Sequence, residues 1–263
     1  MYRFLQWFNQ ELPEVWYPRC AVGITIFGLL FRLFCFWMES TISRDGVFYC
    51  TMAEIWKAEG FEAARQLPLG RVVPPLLPGL MRLMMYAGIS AEFAGNLLNL
   101  LSGTLLIPIL YWIGVMCFNR REIALGLALL AAVQPSLVEL SIEIQRDAPY
   151  LLFAGLAIGC TLAATEKQKV WRWVLAGFFC TAAAMMRLEG LELVPLFLGY
   201  IVVLMVLQFL TVPLGLKAAV SFIGGCIGGF LLLTLLVGIP WDFYSVYWER
   251  GVELFSRGMG EIQ

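Results

Sequence analysis

Three segments of the chain place acidic residues beside an arginine at the edge of a long apolar run. They are ESTISRDGVFY, ELSIEIQRDAPY and MMRLEGLEL. Ionisable groups next to membrane hydrocarbon are costly, which makes them candidates for function. A carboxylate there can take a proton from a hydroxyl, and an arginine can hold a phosphate through two parallel hydrogen bonds. The candidate side chains are Asp45, Tyr49, Glu143, Arg146, Asp147, Arg187 and Glu189.

The first segment offers Asp45 as a general base. Gly46 permits a close backbone approach, and Tyr49 adds an amphipathic ring that can contact a substrate. The alternative is that Asp45 caps the N-terminus of the following helix, because aspartate is a preferred N-cap residue. The residues leave both interpretations open.

The second segment carries Glu143, Arg146 and Asp147 at spacings i, i+3 and i+4. On a helix these three side chains would share one face. Arg146 would bind a phosphate oxygen pair, and Asp147 would orient an acceptor or hold a divalent cation. The alternative is an ordinary interfacial salt bridge in a tight hairpin.

The third segment interrupts an apolar run of more than thirty residues with Arg187 and Glu189. A single helix of that length does not fit a bilayer, so we expect a turn at this point. A broken helix at membrane level lines a cavity or a protein contact. The alternative is a plain re-entry turn in which Arg187 extends towards lipid headgroups.

Composition places the chain in a membrane. The 263 residues are 60% hydrophobic and 14% charged, with a mean hydropathy of +0.80, whereas soluble domains are about 45–50% apolar and about 25% charged. The net charge of −1 argues against a nucleic-acid-binding protein, and the lack of histidine excludes His-based triads and zinc sites with His ligands. The seven scattered cysteines form no CxxC pair, so we predict no metal or disulfide framework.

The apolar runs predict an all-α integral membrane fold with about seven transmembrane helices, since about 20 helical residues cross a bilayer. The predicted spans are 20–38, 95–118, 123–141, 150–165, 171–186, 191–209 and 218–239. Basic residues in short loops favour a cytoplasmic N-terminus. The loops predicted inside hold Arg120, Arg121, Lys167, Lys169, Arg172 and Lys217, against Arg146 and Arg187 outside.

We divide the chain into an interfacial N-terminal segment (1–19), a transmembrane core (20–239) and an extracytoplasmic amphipathic tail (240–263). The core includes one long first outer loop, at about residues 39–93. Its segment FYCTMAEIWKAEGFEAARQL has helical periodicity and is predicted to lie along the membrane surface.

Three further features of the core carry predictions. The prolines of VVPPLLPG are expected to exclude a regular helix. Arg32, inside the first span, is expected to extend towards the outer interface. The run GGCIGG in the last span has the spacing of small residues at helix–helix contacts.

The three acid–arginine segments all emerge on the predicted outer face. We therefore expect Asp45, Asp147 and Arg187 to open into one polar chamber at that rim. Such a chamber would suit a reaction on an anionic, lipid-linked substrate, with arginine for the phosphate and carboxylates for proton transfer.

The chain resembles the GT-C superfamily of integral-membrane glycosyltransferases, in the branch that includes protein O-mannosyltransferases and aminoarabinose-type lipid A transferases. The matching points are Asp45 with Tyr49, the PPLLPG stretch, AGNLLNLLSGTLLIPILYWIG, AVQPSLVELSIEIQRDAPYLLF and LAGFFCTAAAMMRLEGLELVP. Their order and spacing cover residues 31–195.

The resemblance implies transfer of a sugar from a polyprenyl-phosphate donor to a lipid, glycan or protein acceptor, with inversion, at the extracytoplasmic face of the plasma (inner) membrane. It implies a first-loop acidic base, and Asp45 is the matching position. Asp147 matches a second acidic position in the next outer loop, and Arg187 lies in the segment associated with the donor phosphate. Asp45 is followed by Gly46 rather than by a second acidic residue, which indicates a branch other than the protein-mannosylating one.

Members of this superfamily usually carry further spans and often a soluble outer domain. We therefore expect the chain to represent the shared core, with the missing spans supplied by a longer natural chain or by a partner subunit. Two rival interpretations are a non-catalytic membrane subunit or truncated homologue, and a polytopic lipid or solute transporter. The transporter is disfavoured because the two halves do not repeat and the charges lie at one surface.

Overall fold

The computed structural model describes residues 14–38, 42–71, 73–167, 169–241 and 243–244. The elements in this part of the chain are helices, and no β-strand occurs among them. They are α1 (Trp16–Met38), α2 (Arg44–Glu59), α3 (Phe61–Arg65), α4 (Leu76–Met85), α5 (Ala91–Phe118), α6 (Arg121–Val133), α7 (Pro135–Ile142), α8 (Asp147–Lys167), α9 (Val170–Met186), a 3-10 helix (Leu188–Glu192), α10 (Leu193–Val206) and α11 (Val212–Val237).

The predicted all-α integral membrane fold is confirmed. Within the described residues, five helical segments are long and apolar enough to cross a membrane: α1, α5, α8, α11 and the continuous segment Leu188–Val206. Helices α6 and α7 meet these criteria together and are bent by 53° at their junction, which would make a sixth span. Helix α9 is apolar but has only 17 residues.

The long helices pack in a row. Helices α1 and α6 pack on α5, α5 packs on α8, α8 on α9, and α9 on α11. Glycines allow a close backbone approach between α9 and α11: a Cβ at Gly177 would lie 2.1 Å from the carbonyl oxygen of Phe222, and one at Gly225 would lie 2.1 Å from that of Val174. The packing predicted for GGCIGG therefore holds at Gly225, whereas a Cβ at Gly224 would meet nothing within 4 Å.

Helices α2, α3 and α4 cover one end of this row, which we call the capped end. The largest apolar cluster of the described residues lies there, between these three helices and the nearby ends of α5, α9 and α11. Trp56 of α2, Met81 of α4, Met186 of α9 and Val237 of α11 are all fully buried in it. The helices predicted in the first outer loop are thus present, and their apolar side chains pack on the ends of the long helices.

The prediction that VVPPLLPG excludes a regular helix is wrong in its second half. Pro75 is the N-cap of α4, and Pro78 lies in the first turn of that helix. Proline is tolerated in the first turn because the N–H that it lacks would have no intrahelical acceptor there. The prolines therefore mark the start of α4 and do not prevent it.

The expected extension of Arg32 to the outer interface is also wrong. Its side chain is fully buried, with 1% exposure, among α1, α6 and α7. Most of the predicted interfacial segment 1–19, and the tail beyond residue 244, lie outside the described residues.

Candidate active site

Arg187 and Glu189 lie at a sharp turn between α9 and α10, at the capped end. Arg187 leaves the helical conformation, with φ −143° and ψ 137°, and the 3-10 helix follows at once. Gly190 is pressed against α9, since a Cβ there would lie 2.5 Å from the backbone nitrogen of Ala184. The break predicted in the apolar run is present, and it brings both charged side chains out of the bundle.

The Arg187 guanidinium pairs with two carboxylates. Its Nη1 donates a hydrogen bond to Oδ1 of Asp147. Its Nη2 donates to Oε1 of Glu189 over 2.8 Å, and its Nε donates to Oε2 of Glu189 over 3.4 Å. The hydrogen bonds with Glu189, together with the charge of Asp147, raise the pKa of Arg187 above its usual value. Arg187 therefore carries a permanent positive charge in a fixed orientation.

Arg187 retains hydrogen-bonding capacity towards a ligand. A guanidinium has five N–H donors, and Arg187 uses three of them within the described residues. About a quarter of the side-chain surface is exposed, 28% for Arg187 and 24% for Asp147. One N–H group on Nη1 and one on Nη2 thus have no acceptor among the described residues and are available to an anion that approaches from solvent.

Asp147 reaches Arg187 from the first turn of α8. The expectation that Glu143, Arg146 and Asp147 share one helical face is wrong, because α7 ends at Ile142 and Glu143 has extended backbone angles. The physical reason is Pro149, whose ring would clash with the carbonyl of Gln145 in a continuous helix. Helix α8 begins at Asp147, which places Pro149 in its first turn, and Glu143 instead accepts a hydrogen bond from the Gln145 side chain.

Tyr49 shows that the other predicted charges lie near this ion pair. Its side chain is buried, with 3% exposure. Burial raises the pKa of Tyr49 to about 12, and the charges of Arg146, Asp45, Asp147 and Arg187 also act on its hydroxyl. These four charged groups therefore lie within electrostatic range of the Tyr49 hydroxyl, and Arg146 lies within that range of Glu189 as well.

Asp45 lies in the first turn of α2, one helical turn before Tyr49. It is exposed, and it makes no hydrogen bond or ion pair with the described residues. Ser43 is the N-cap, since its hydroxyl accepts a hydrogen bond from the Gly46 amide over 3.2 Å. The alternative role of Asp45 as the cap residue is therefore filled by Ser43, and its carboxylate points to solvent without a partner in the described chain.

Ile144 links these elements, although no sequence pattern indicated it. It is buried, with 2% exposure, in the link between α7 and α8. A Cβ at Gly46 would lie 3.3 Å from Cβ of Ile144, and one at Gly95 would lie 2.7 Å from its Cγ2. Ile144 thus fits between the start of α2 and the start of α5, three residues before Asp147.

Tyr150 is a second residue that the sequence did not single out. The Arg187 guanidinium lies 5.7 Å from the centroid of the Tyr150 ring, a cation–π distance. The available signal was its spacing of three residues from Asp147, which places both side chains on one face of α8. No group of three or more His, Cys, Asp or Glu side chains suited to a metal ion occurs in the part of the chain that the structure describes.

A protein-family model matches more than half of the chain. Residues 72–223 match the family model described as dolichyl-phosphate-mannose-protein mannosyltransferase. The matched region contains Glu143, Arg146, Asp147, Arg187 and Glu189, whereas Asp45 and Tyr49 precede it. No curated protein matches the chain significantly.

Proposed function

The chain belongs to the dolichyl-phosphate-mannose-protein mannosyltransferase family, and from this membership we propose that it is a membrane glycosyltransferase that moves a sugar from a polyprenyl-phosphate donor to an acceptor hydroxyl at its capped end. The family match supports the class of reaction. The observation that carries the location is the Arg187 guanidinium, which is held by Asp147 and Glu189 and keeps two donors for a phosphate.

In the proposed reaction the acceptor oxygen attacks the anomeric carbon of the sugar. A bond forms between these two atoms while the bond from the anomeric carbon to the phosphate oxygen breaks. The acceptor hydroxyl loses its proton to a carboxylate, and the polyprenyl phosphate leaves with the bonding electrons. Attack opposite the leaving group inverts the anomeric configuration.

Arg187 would stabilise the phosphate as negative charge develops on its leaving oxygen. Charge-assisted hydrogen bonds from a preorganised donor contribute most where charge appears in the transition state. Asp147 and Glu189 fix the guanidinium before the donor binds, and the Tyr150 ring lies against it. Arg146 adds a second positive charge within electrostatic range of Glu189 and Tyr49.

Asp45 would act as the base. Its carboxylate is exposed and has no hydrogen-bonding partner among the described residues, so it is available to a hydroxyl that enters from solvent. Like Arg187, Asp45 lies within electrostatic range of the Tyr49 hydroxyl. A common chamber for Asp45, Asp147 and Arg187 remains part of the proposal, and so does substrate contact by Tyr49 and Glu143.

The capped end would face the extracytoplasmic side of the plasma (inner) membrane. Arg120, Arg121, Lys167, Lys169 and Arg172 all lie at loops of the opposite end, between α5 and α6 or between α8 and α9. Such basic short loops favour the cytoplasmic side. A lipid-linked donor in the outer leaflet would then reach Arg187 from the membrane surface.

The proposal is tested with the full chain in proteoliposomes that contain membrane extract as the acceptor source. The probe is undecaprenyl-phosphate mannose, and the measurement is the release of undecaprenyl phosphate. We expect Asp45→Asn to abolish release while expression and donor binding persist. Glu54→Gln, an exposed acid of the same helix, is the matched control and should behave as the wild type.

Undiminished release by the Asp45→Asn variant would overturn the role of this residue as the base. Absence of release by the wild-type chain would overturn independent activity and favour the alternative of a non-catalytic subunit.

A further inference from the structure

Arg32 is an arginine inside an apolar span, six residues before the end of α1, and its hydrogen bonds go to uncharged groups. Its Nη2 donates to the carbonyl of Ala131 over 2.9 Å, and its Nη1 donates to the carbonyl of Ala132 over 3.1 Å. Nη1 also donates to the carbonyl of Gly28 over 3.2 Å, and Nε to the hydroxyl of Ser141 over 3.1 Å. No carboxylate pairs with Arg32 among the described residues.

The two carbonyls of α6 are those that the bend between α6 and α7 leaves without a partner. In a continuous helix the carbonyl of Ala131 accepts from residue 135, which is proline and has no N–H. The carbonyl of Ala132 would accept from Ser136, which the extended backbone of Gln134 displaces. An unpaired carbonyl inside a bilayer is strongly unfavourable because no water is there to bind it, and Arg32 supplies donors to both.

On the α7 side of the bend, a backbone amide finds its hydrogen-bond acceptor in a neighbouring side chain. The Gln134 side chain accepts a hydrogen bond from the Leu137 amide over 2.8 Å and so caps the N-terminus of α7. Gly103 of α5 leaves room for the assembly, since a Cβ there would lie 1.8 Å from Oγ of Ser141. Four helices therefore meet at Arg32: α1, α5, α6 and α7.

The direction of α7 sets the positions of the residues that come after it in the chain. Two residues beyond the end of α7, Ile144 fits between Gly46, next to Asp45, and Gly95 of α5. Three residues further on, Asp147 meets Arg187. A change in the 53° bend would therefore displace Ile144 and Asp147 together.

We propose that Arg32 is a positioning residue that holds the bend between α6 and α7 and thereby places Asp147 and the first turn of α2 at the capped end. Its importance for transfer rests on the proposed function, whereas its action on the bend does not. Arg32 acts through α7 and touches none of the groups assigned to the reaction.

The experiment compares Arg32→Met, Arg32→Lys, Pro135→Ala and the double variant Arg32→Met/Pro135→Ala in the detergent-solubilised full chain. We expect Arg32→Met to lower the thermal unfolding midpoint and to reduce kcat for mannose transfer at least tenfold, with a smaller change in KM. Arg32→Lys should recover part of both, because an ammonium can still donate to the two carbonyls. Arg120→Met, an exposed arginine at the opposite end, is the matched control and should change neither.

The double variant separates positioning from stabilisation. Alanine at position 135 has the N–H that the Ala131 carbonyl lacks, so the midpoint should recover as α6 and α7 become one straighter helix. Transfer should stay low, because α7 then no longer points to the capped end. Recovery of kcat together with the midpoint would overturn the positioning role, and an unchanged midpoint in Arg32→Met would overturn the bend role.

A readout without transfer keeps this inference separate from the proposed function. A cysteine introduced by Ile144→Cys should react slowly with a maleimide, followed by peptide mass spectrometry, because Ile144 is buried. We expect at least tenfold faster labelling when Arg32→Met is added, and fast labelling should persist with Pro135→Ala. Equal labelling rates with and without Arg32 would overturn the proposal even if the chain proves inactive in transfer.

Discussion

Two arginines of this protein lie beside broken helices and are bound in opposite ways. Arg187, at the break between α9 and α10, is partly exposed and faces two carboxylates. Arg32, opposite the break between α6 and α7, is buried and faces backbone carbonyls and one hydroxyl. Side-chain carboxylates can change position when an anion binds to the arginine, whereas backbone carbonyls are held in place by their helix. The difference in surroundings supports the phosphate-binding role proposed for Arg187 and the positioning role proposed for Arg32.

The largest effect expected from this contrast is on activity at Arg187. Arg187→Met should reduce mannose transfer by about 100-fold to 1,000-fold, the range seen when one preorganised donor to a developing charge is removed. Its unfolding midpoint should change by no more than about 4 °C, because exposed ion pairs contribute about 0–1 kcal/mol. The measurement is the initial transfer rate beside a melting curve of the same preparation.

The control for that variant is Arg71→Met, which removes an exposed arginine from the capped end. A contradicting result would be a large fall in the unfolding midpoint of Arg187→Met, with transfer reduced only in proportion to the fraction of unfolded protein. Arg187 would then stabilise the fold, as Arg32 is proposed to do.

The next effect is on stability, at the glycine that admits Arg32. Gly103→Ala should lower the free energy of unfolding by about 1–3 kcal/mol, because the new methyl would overlap Ser141, which accepts a hydrogen bond from Nε of Arg32. Gly126→Ala is the control, since a Cβ there would meet nothing within 4 Å. Alanine is the better helix former, so the control should be neutral or slightly stabilising. Equal midpoints for the two variants would show that the contact around Arg32 is loose.

The smallest expected effect concerns the buried hydroxyl of Tyr49, near the charges around Arg187. Tyr49 is neutral in the folded protein up to about pH 12, whereas an unfolded tyrosine ionises near pH 10. Its contribution to stability is therefore complete below pH 10 and is lost as the pH rises through 12. At pH 11 the wild type should have lost about 1 kcal/mol relative to Tyr49→Phe, measured as the difference between the two unfolding midpoints. A constant difference from pH 8 to pH 11 would contradict the burial of this hydroxyl.

The features of the candidate site that could be predicted from the sequence are those that follow from the lengths of the apolar runs. The apolar run around Arg187 is too long for one span, so a turn there follows from the thickness of a bilayer. The same alternation of spans places Asp45, Asp147 and Arg187 on one side. The contact between Asp147 and Arg187 does not follow, because it depends on how α8 and α9 rotate about their axes.

The wrong predictions have two causes. In some the local structure is decided by a nearby proline, and in another it is decided by contact with residues far away in the sequence. Pro149 prevents the helical face expected for Glu143 and Asp147, and the position of Pro78 in the first turn permits α4. The burial of Arg32 could not be foreseen because three of its four acceptors lie about a hundred residues further along the chain. Local spacing carries no information about such pairs.

The capped end also has a consequence for biosynthesis. Arg82 of α4 donates a hydrogen bond to the carbonyl of Val237, at the end of α11, and its guanidinium stacks over Trp56 of α2. Helices α2, α3 and α4 are therefore translated early, but part of the surface on which they pack is present only once α11 has entered the bilayer. If translation stopped before α11, helices α2, α3 and α4 would lack part of their packing surface. Their apolar side chains would stay exposed, and the membrane quality-control machinery could recognise them.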